Sequence, residues 1–299
     1  MSVASPSDEA TAPGASRGRG RTGRPLFRPW KLGLAAWCAL SYIFLLSPLV
    51  IVAGASLNGG DGAMSFPPED ISLKWYFSIP ADQYEALALS LGIATLAALG
   101  AAALGIPAAL GLVRSRVPGR YLLAALFRAP MQIPAVVTGF AFLQMYYWFL
   151  SLTGIPLYGT FTGLFLGHLF IGTPYVIGAV TAILQRFDSR LEEAALICGA
   201  PPARVLWRVT LPAILPGVYA GCLYAFMVSF ADVPLSIFLT ASGYVTYPVE
   251  LFFALENDFD PSILASSTLV ILFSLVMLVV VQRAIGLDAL LRSGGGGGR

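Results

Sequence analysis

Few side chains in this sequence are equipped for chemistry. His168 is the only histidine, and Cys38, Cys198 and Cys222 form neither a CxxC pair nor an even-numbered framework. That inventory argues against a histidine-based metal site, structural zinc or a disulfide lattice, and the cysteines read as small apolar fillers. Glu192 and Glu193 are adjacent carboxylates, a pattern that invites an acid–base reading. Successive residues on a helix point about 100° apart, so the two do not converge on one substrate atom, and no nucleophile accompanies them. No G-x-x-x-x-G-K-[ST] loop occurs, so the chain carries no ATP site of its own. The expectation is a protein with no catalytic residue, no metal and no cofactor.

Asp232 stands apart because it lies in a long apolar stretch, with Pro234 two residues later. A carboxylate at that depth is costly and faces either a cavity or a polar partner. A proline-broken helix also exposes backbone groups that a polar solute can use. Two readings follow: Asp232 lines a pathway, or it is a buried structural carboxylate, paired or near an interface. His168 is expected to hydrogen-bond between helices rather than relay protons. Tyr146, Tyr147 and Trp148 read as an interfacial aromatic belt rather than a substrate cage.

The elements that must position these residues are membrane helices. Hydrophobic residues make up 57% of the 299 and charged residues only 11%, against about 25% charged in soluble proteins. The net charge of +2 is too small to suggest a nucleic-acid partner. A spanning helix needs about 20 apolar residues. Six stretches qualify: about 32–57, 86–113, 122–150, 161–184, 213–240 and 262–282. The fold class is therefore an all-α membrane protein with six transmembrane helices. Residues 1–31 read as a disordered basic tail, 32–285 as the transmembrane domain and 286–299 as a second tail. Ala53-Gly54-Ala55 has the small-residue look of a signal cleavage site, but the preceding run is longer than a signal core and reads as an uncleaved anchor.

Orientation follows from the basic residues. With six spans, all but one of the 18 Lys and Arg residues fall on one side, Lys74 being the exception. Both termini are expected in the cytoplasm. The opposite side carries Asp61, Glu69, Asp70, Asp82, Glu85, Glu250, Glu256, Asp258 and Asp260.

The connection 186–212 is the most informative segment. Ser189-Arg190-Leu191-Glu192 reads as a capping box. Leu191, Ala194, Ala195 and Cys198 then share one helical face. Gly199 suits a C′ position, Pro201 blocks continuation and Pro202 can open a second short helix, which Leu211-Pro212 should end. Spacing alone leaves two uses for such a helix–turn–helix at the membrane surface: docking in a partner's groove or resting on lipid.

One sequence pattern separates those uses. Glu193-Ala194-Ala195, three residues, Gly199, nine residues, then Val209-Thr210-Leu211-Pro212 resembles the EAA motif of ABC importer permeases. That family usually has Ile where Val209 stands. The resemblance runs from about Trp75 to Arg283. It includes the Ser72–Tyr76 segment, Pro130 and Pro134, and Gly167–Val176. Ser229-Phe230-Ala231-Asp232-Val233-Pro234 and Phe259-Asp260-Pro261 look closest to spermidine/putrescine-type permeases, whose relatives carry thiamine, ferric iron or aminoethylphosphonate. The resemblance implies a type I ABC importer permease fold, with a core of five helices after the first. It implies that loop 186–212 couples to an ATPase through Glu193, Ala194, Ala195, Gly199, Val209, Leu211 and Pro212. The implied partners are separate ATP-hydrolysing subunits, a second permease subunit and an extracytoplasmic solute-binding protein, in the lipid bilayer of a bacterial inner membrane. The rival is an ion-coupled secondary transporter acting without an ATPase. That class places several ionisable groups mid-membrane, where this sequence has Asp232 and, more weakly, His168.

Overall fold

The computed structural model describes residues 29–60, 65–115, 118–241, 243–257 and 260–293. Residues 1–28 of the expected tail 1–31, the acids Asp61 and Asp258, Arg116, Phe259 and the last six residues lie outside the described residues; helix already begins at Pro29 and continues to Ser293, inside the two expected tails. The chain divides into two units after Pro48, which lies inside helix α1 (Pro29–Ala55). In the first unit the apolar side chains of α1, Trp37, Ile43 and Phe44 among them, are exposed.

The second unit is built from helices, with no strand among its described residues. They are α2 (Lys74–Phe77), α3 (Ala81–Arg114), α4 (Arg120–Arg128), α5 (Ala135–Thr153), α6 (Phe161–Leu184), α7 (Arg190–Ile197), α8 (Pro202–Val205), α9 (Leu211–Phe230), α10 (Ser236–Leu239), α11 (Tyr247–Asn257) and α12 (Ser262–Ser293). Five apolar stretches are long enough to cross a membrane: Gly33–Ala55, Ala81–Arg114, Ala135–Thr153, Phe161–Leu184 and Pro202–Phe230. In α12 the described apolar stretch, Ser262–Met277, is shorter.

Two expected spans are interrupted. The run 122–150 divides into α4, a 3-10 turn at Ala129–Met131 and α5, because Pro130 and Pro134 cannot donate the hydrogen bonds a continuous helix requires. The run 213–240 ends as a helix at Phe230 and resumes as α10 only at Ser236. Asp232 therefore lies in a break between helices, not inside a span.

The core is the mutual packing of α3, α6 and α9. Lipid tails are as apolar as leucine, so helices in a membrane gain cohesion by close backbone approach at small residues. On α3 the buried residues Ala94, Ala97, Ala98, Ala101, Gly105 and Ala109 recur at helical spacing. Of these, Ala98, Ala101 and Ala109 cluster with Val176 and Val180 of α6 and Ile214, Val218 and Ala225 of α9. The closest approach is at Gly221 of α9, where a Cβ would lie 2.7 Å from the Cα of Val176. No larger residue fits there unless α6 and α9 separate.

Two smaller expectations are corrected. Tyr146 is not part of an exposed belt: it is buried, and its hydroxyl donates to Gly163 O at 2.6 Å. That carbonyl at the start of α6 gives the phenol a partner, whereas Tyr147 and Trp148 are exposed. Of the cysteines, Cys222 packs against the core, but Cys38 and Cys198 are exposed rather than fillers.

Candidate functional site

The connection between α6 and α9 is compact. Asp188 Oδ1 accepts the Arg190 N–H at 3.0 Å and starts α7. The expected capping box at Ser189 does not form. Ser189 is already helical (φ −62°, ψ −19°) and its side chain caps nothing, because Asp188 captures an N-terminal donor one residue earlier. The expected stop does form. Gly199 has φ +82°, its N–H donates to Leu196 O at 2.9 Å, and the Ala200 N–H donates to Ala195 O at 3.1 Å. This is the paired closure that a left-handed residue at C′ permits. Pro201 is extended and Pro202 opens α8. The expected end at Leu211-Pro212 is replaced by a π-turn over Leu206–Thr210 that runs into α9. Widening the helix there accommodates the Pro212 ring, which lacks an N–H and would crowd the carbonyl four residues back.

Glu192 ties this connection to the core. Its Oε1 pairs with the Arg114 guanidinium and accepts the Thr210 hydroxyl. Arg114 Nη2 also reaches Thr210 Oγ1 at 3.3 Å. Arg114 ends α3 and Thr210, fully buried, precedes α9. The pair is partly open to water, so its contribution to global stability is about 1 kcal/mol or less. Its effect is geometric: one carboxylate fixes α7 against the ends of two core helices. Neither Arg114 nor Thr210 was singled out by the motif. The available signal was the position of Arg114 at the end of a span and of Thr210 inside Val209–Pro212.

The remaining surface of the connection faces outward. Leu191, Ala194 and Cys198 of the expected stripe are exposed, and Ala195 is half-buried. Ile197 is 86% exposed and Trp207 68%. Glu193 and Gly199 are exposed, Val209 and Leu211 half-buried, and Pro212 exposed. The adjacent carboxylates thus part company, Glu192 inward and Glu193 outward. An apolar patch beside a free carboxylate, on a backbone braced from behind, can dock a partner and has nothing with which to catalyse a reaction.

Asp232 belongs to a second, buried cluster. Its Oδ2 accepts the Leu235 N–H at 3.1 Å, the Ser236 N–H at 2.9 Å and the Ser236 hydroxyl at 2.9 Å. It thereby caps α10 after the break. Ser236 Oγ lies 3.1 Å from His168 Nε2, and Ser229 Oγ lies 2.8 Å from His168 Nδ1. Ser236 spends its only hydroxyl proton on Asp232, so its oxygen accepts from Nε2–H, and Nδ1 accepts from Ser229. The expected inter-helix hydrogen bonding of His168 is present, joining α6 to α9 and α10. Among the described residues no group of three or more His, Cys, Asp or Glu side chains could hold a metal ion.

Residues 101–287 match the model of the family described as binding-protein-dependent transport system inner membrane component. The putrescine transport system permease protein PotI of Escherichia coli K12 is 31% identical over 246 residues, covering 81% of this chain and 86% of the relative. The spermidine/putrescine transport system permease protein PotC of Haemophilus influenzae is 29% identical over 249 residues, covering 83% and 94%. The molybdenum transport system permease protein ModB of Mycobacterium bovis is 31% identical over 226 residues, covering 72% and 85%. Among solved structures, a bacterial ABC transporter for alginate import aligns at TM-score 0.66 and 16% identity, over 92% of this chain and 99% of that one. The MetNI methionine transporter aligns at TM-score 0.52 and 17% identity, over 75% and 99%.

Removing the Glu192 tie should free α7 without unfolding the core. In Glu192→Ala, amide hydrogen exchange over 190–205 should rise about fivefold, the loss of roughly 1 kcal/mol of local protection. Exchange in α3, α6 and α9 should hold within about twofold. Unchanged exchange over 190–205 would show that α7 is held by other contacts.

Proposed function

This chain belongs to the family of binding-protein-dependent transport system inner membrane components, and from that premise we propose that it imports a polyamine of the putrescine and spermidine class, with loop 186–212 as its coupling element. It is a multi-pass permease subunit of an ABC importer and not an enzyme; the family membership excludes the secondary-transporter reading.

Coupling is supported by the braced and exposed geometry of α7. A separate ATP-hydrolysing subunit would take the surface of Leu191, Ala194 and Ile197, with Glu193 as a docking charge. Gly199 would hold the left-handed turn that aims α7, with Ala195, Val209, Leu211 and Pro212 supporting the turn and the re-entry into α9. A second permease subunit and an extracytoplasmic solute-binding protein would complete the assembly. The distribution of basic residues supports cytoplasmic termini. In that orientation a cytoplasm-active reporter fused after Arg299 works and one inserted within 58–84 does not; the reverse pattern would invert the assignment.

The polyamine reading is supported by the likeness to PotI and PotC and by charge. At the end of the bundle opposite α7, Glu69, Asp70, Asp82, Glu85, Glu256 and Asp260 are exposed beside Lys74. Burial, and then the neighbouring Asp82 carboxylate, raise the Glu250 carboxyl above its ordinary range. Such a mouth concentrates cations. The likeness to ModB, named for molybdenum, is the counterweight and makes substrate the point to test. We place Asp232 at the pathway, where Asp232→Asn would keep the α10 cap and remove the charge. Uptake of labelled putrescine and spermidine by cells carrying the full system should fall at least about tenfold in that variant, with complex assembly intact. No uptake of either by the unmodified system refutes the polyamine class, and normal uptake by the variant removes Asp232 from the pathway.

A further inference from the structure

Between α3, α4 and α6 lies a cavity of about 340 Å³. Its polar lining includes Arg120, Tyr121, Arg128, Thr181 and Gln185. Both arginines are exposed, and among the described residues neither has a carboxylate partner. Arg120 instead lies over the Tyr121 ring, 4.9 Å from its centroid, and donates to the phenol oxygen at 3.0 Å. Two cations at the two ends of one short amphipathic helix thus frame one cavity.

A second cavity adjoins the first. A groove of about 750 Å³ runs along α5 and α6 and shares Phe127, Pro174 and Ile177 with the first. Apart from Thr173 its other walls are apolar, with Leu104, Ala141, Phe142, Met145 and Leu166 among them. On α6 the groove extends from Leu166 to Ile177, about 16 Å at 1.5 Å per residue. Half of a hydrocarbon core about 30 Å thick is about 15 Å. An acyl chain that spans one leaflet matches the groove in length, and the two arginines line the adjoining cavity beside Thr181 and Gln185.

We propose that this composite cavity binds one anionic glycerophospholipid, its phosphate at Arg120 and Arg128 and an acyl chain in the groove along α6. The occupant must be both anionic and long-chained. A free phosphate would leave the groove empty, and a zwitterionic lipid would oppose the arginines with its own cation. Each arginine near the headgroup is worth about fivefold in affinity. Through α4 and the carboxyl end of α6, such a lipid sets the position of the helix that leads into loop 186–212.

The test uses the complete importer, purified with its partner subunits and stripped of lipid, and native mass spectrometry of its complexes. The probes are phosphatidylglycerol, phosphatidylcholine with the same chains, and glycerol 3-phosphate. Phosphatidylglycerol should bind at one site per copy of this chain at least about tenfold more tightly than phosphatidylcholine, and glycerol 3-phosphate should not compete. Arg120→Gln with Arg128→Gln should weaken phosphatidylglycerol at least about tenfold with assembly unchanged, as judged by copurification. Ala141→Trp, which fills the groove from an exposed position, should do the same with both arginines present. Equal binding of the two lipids, or indifference to the arginine pair, overturns the proposal. Competition by glycerol 3-phosphate at the affinity of the lipid assigns the site to a soluble phosphate and also overturns it.

Discussion

Close backbone approach among α3, α6 and α9 is the constraint from which the rest of the molecule follows. In lipid there is little hydrophobic gain in bringing helices together, so cohesion depends on contact distance, and contact distance depends on small residues. The alanine face of α3 and the Gly221–Val176 approach supply it. The same three helices bound the connection that carries α7. Arg114 ends α3, α6 leads into the connection, and Thr210 precedes α9. Glu192 joins the first and third of these at one carboxylate. Through that carboxylate α7 is in direct contact with the ends of both core helices.

That arrangement explains why an exposed apolar patch is tolerated. Leu191 and Ile197 would cost less if they turned inward, but the closure at Gly199 and the inward pull of Glu192 hold them out. At the other end of α9 the chain solves a different problem. Pro234 breaks the helix, and Asp232 with Ser236 satisfies the backbone donors that the break exposes. His168 then pins the break to α6 through two serines. One end of α9 is tied to α3 and α7, and the other to α6.

Much of this was legible in the sequence because the relevant signals are local. Hydropathy over windows of about 20 residues marks helices, and Gly199, Pro201 and Pro202 fix the turn by their own backbone limits. The EAA spacing marked the connection. What escaped were choices settled by three-dimensional competition. Asp188 and Ser189 could each cap α7, and only the path of the chain decides between them. Glu192 and Glu193 are indistinguishable in sequence, yet only Glu192 faces Arg114 across the fold. Tyr146 adjoins two exposed aromatics in sequence, while its burial goes with a partner carbonyl of α6. The interrupted spans at Pro130 and Pro234 were visible as prolines, but hydropathy averages across them.

The central claim is that α7 presents a docking face to an ATP-hydrolysing subunit while Glu192 holds it to the core. A photo-crosslinking amino acid placed at Ile197 in the assembled importer addresses it most directly, because that side chain is the most exposed apolar group on α7. The account predicts a covalent adduct with the ATPase from position 197, a much lower yield when Glu192→Ala lets α7 move, and no adduct from a probe at Glu85 on the opposite end of the bundle. An ATPase adduct from position 85, or none from position 197 in an importer that transports normally, would contradict it.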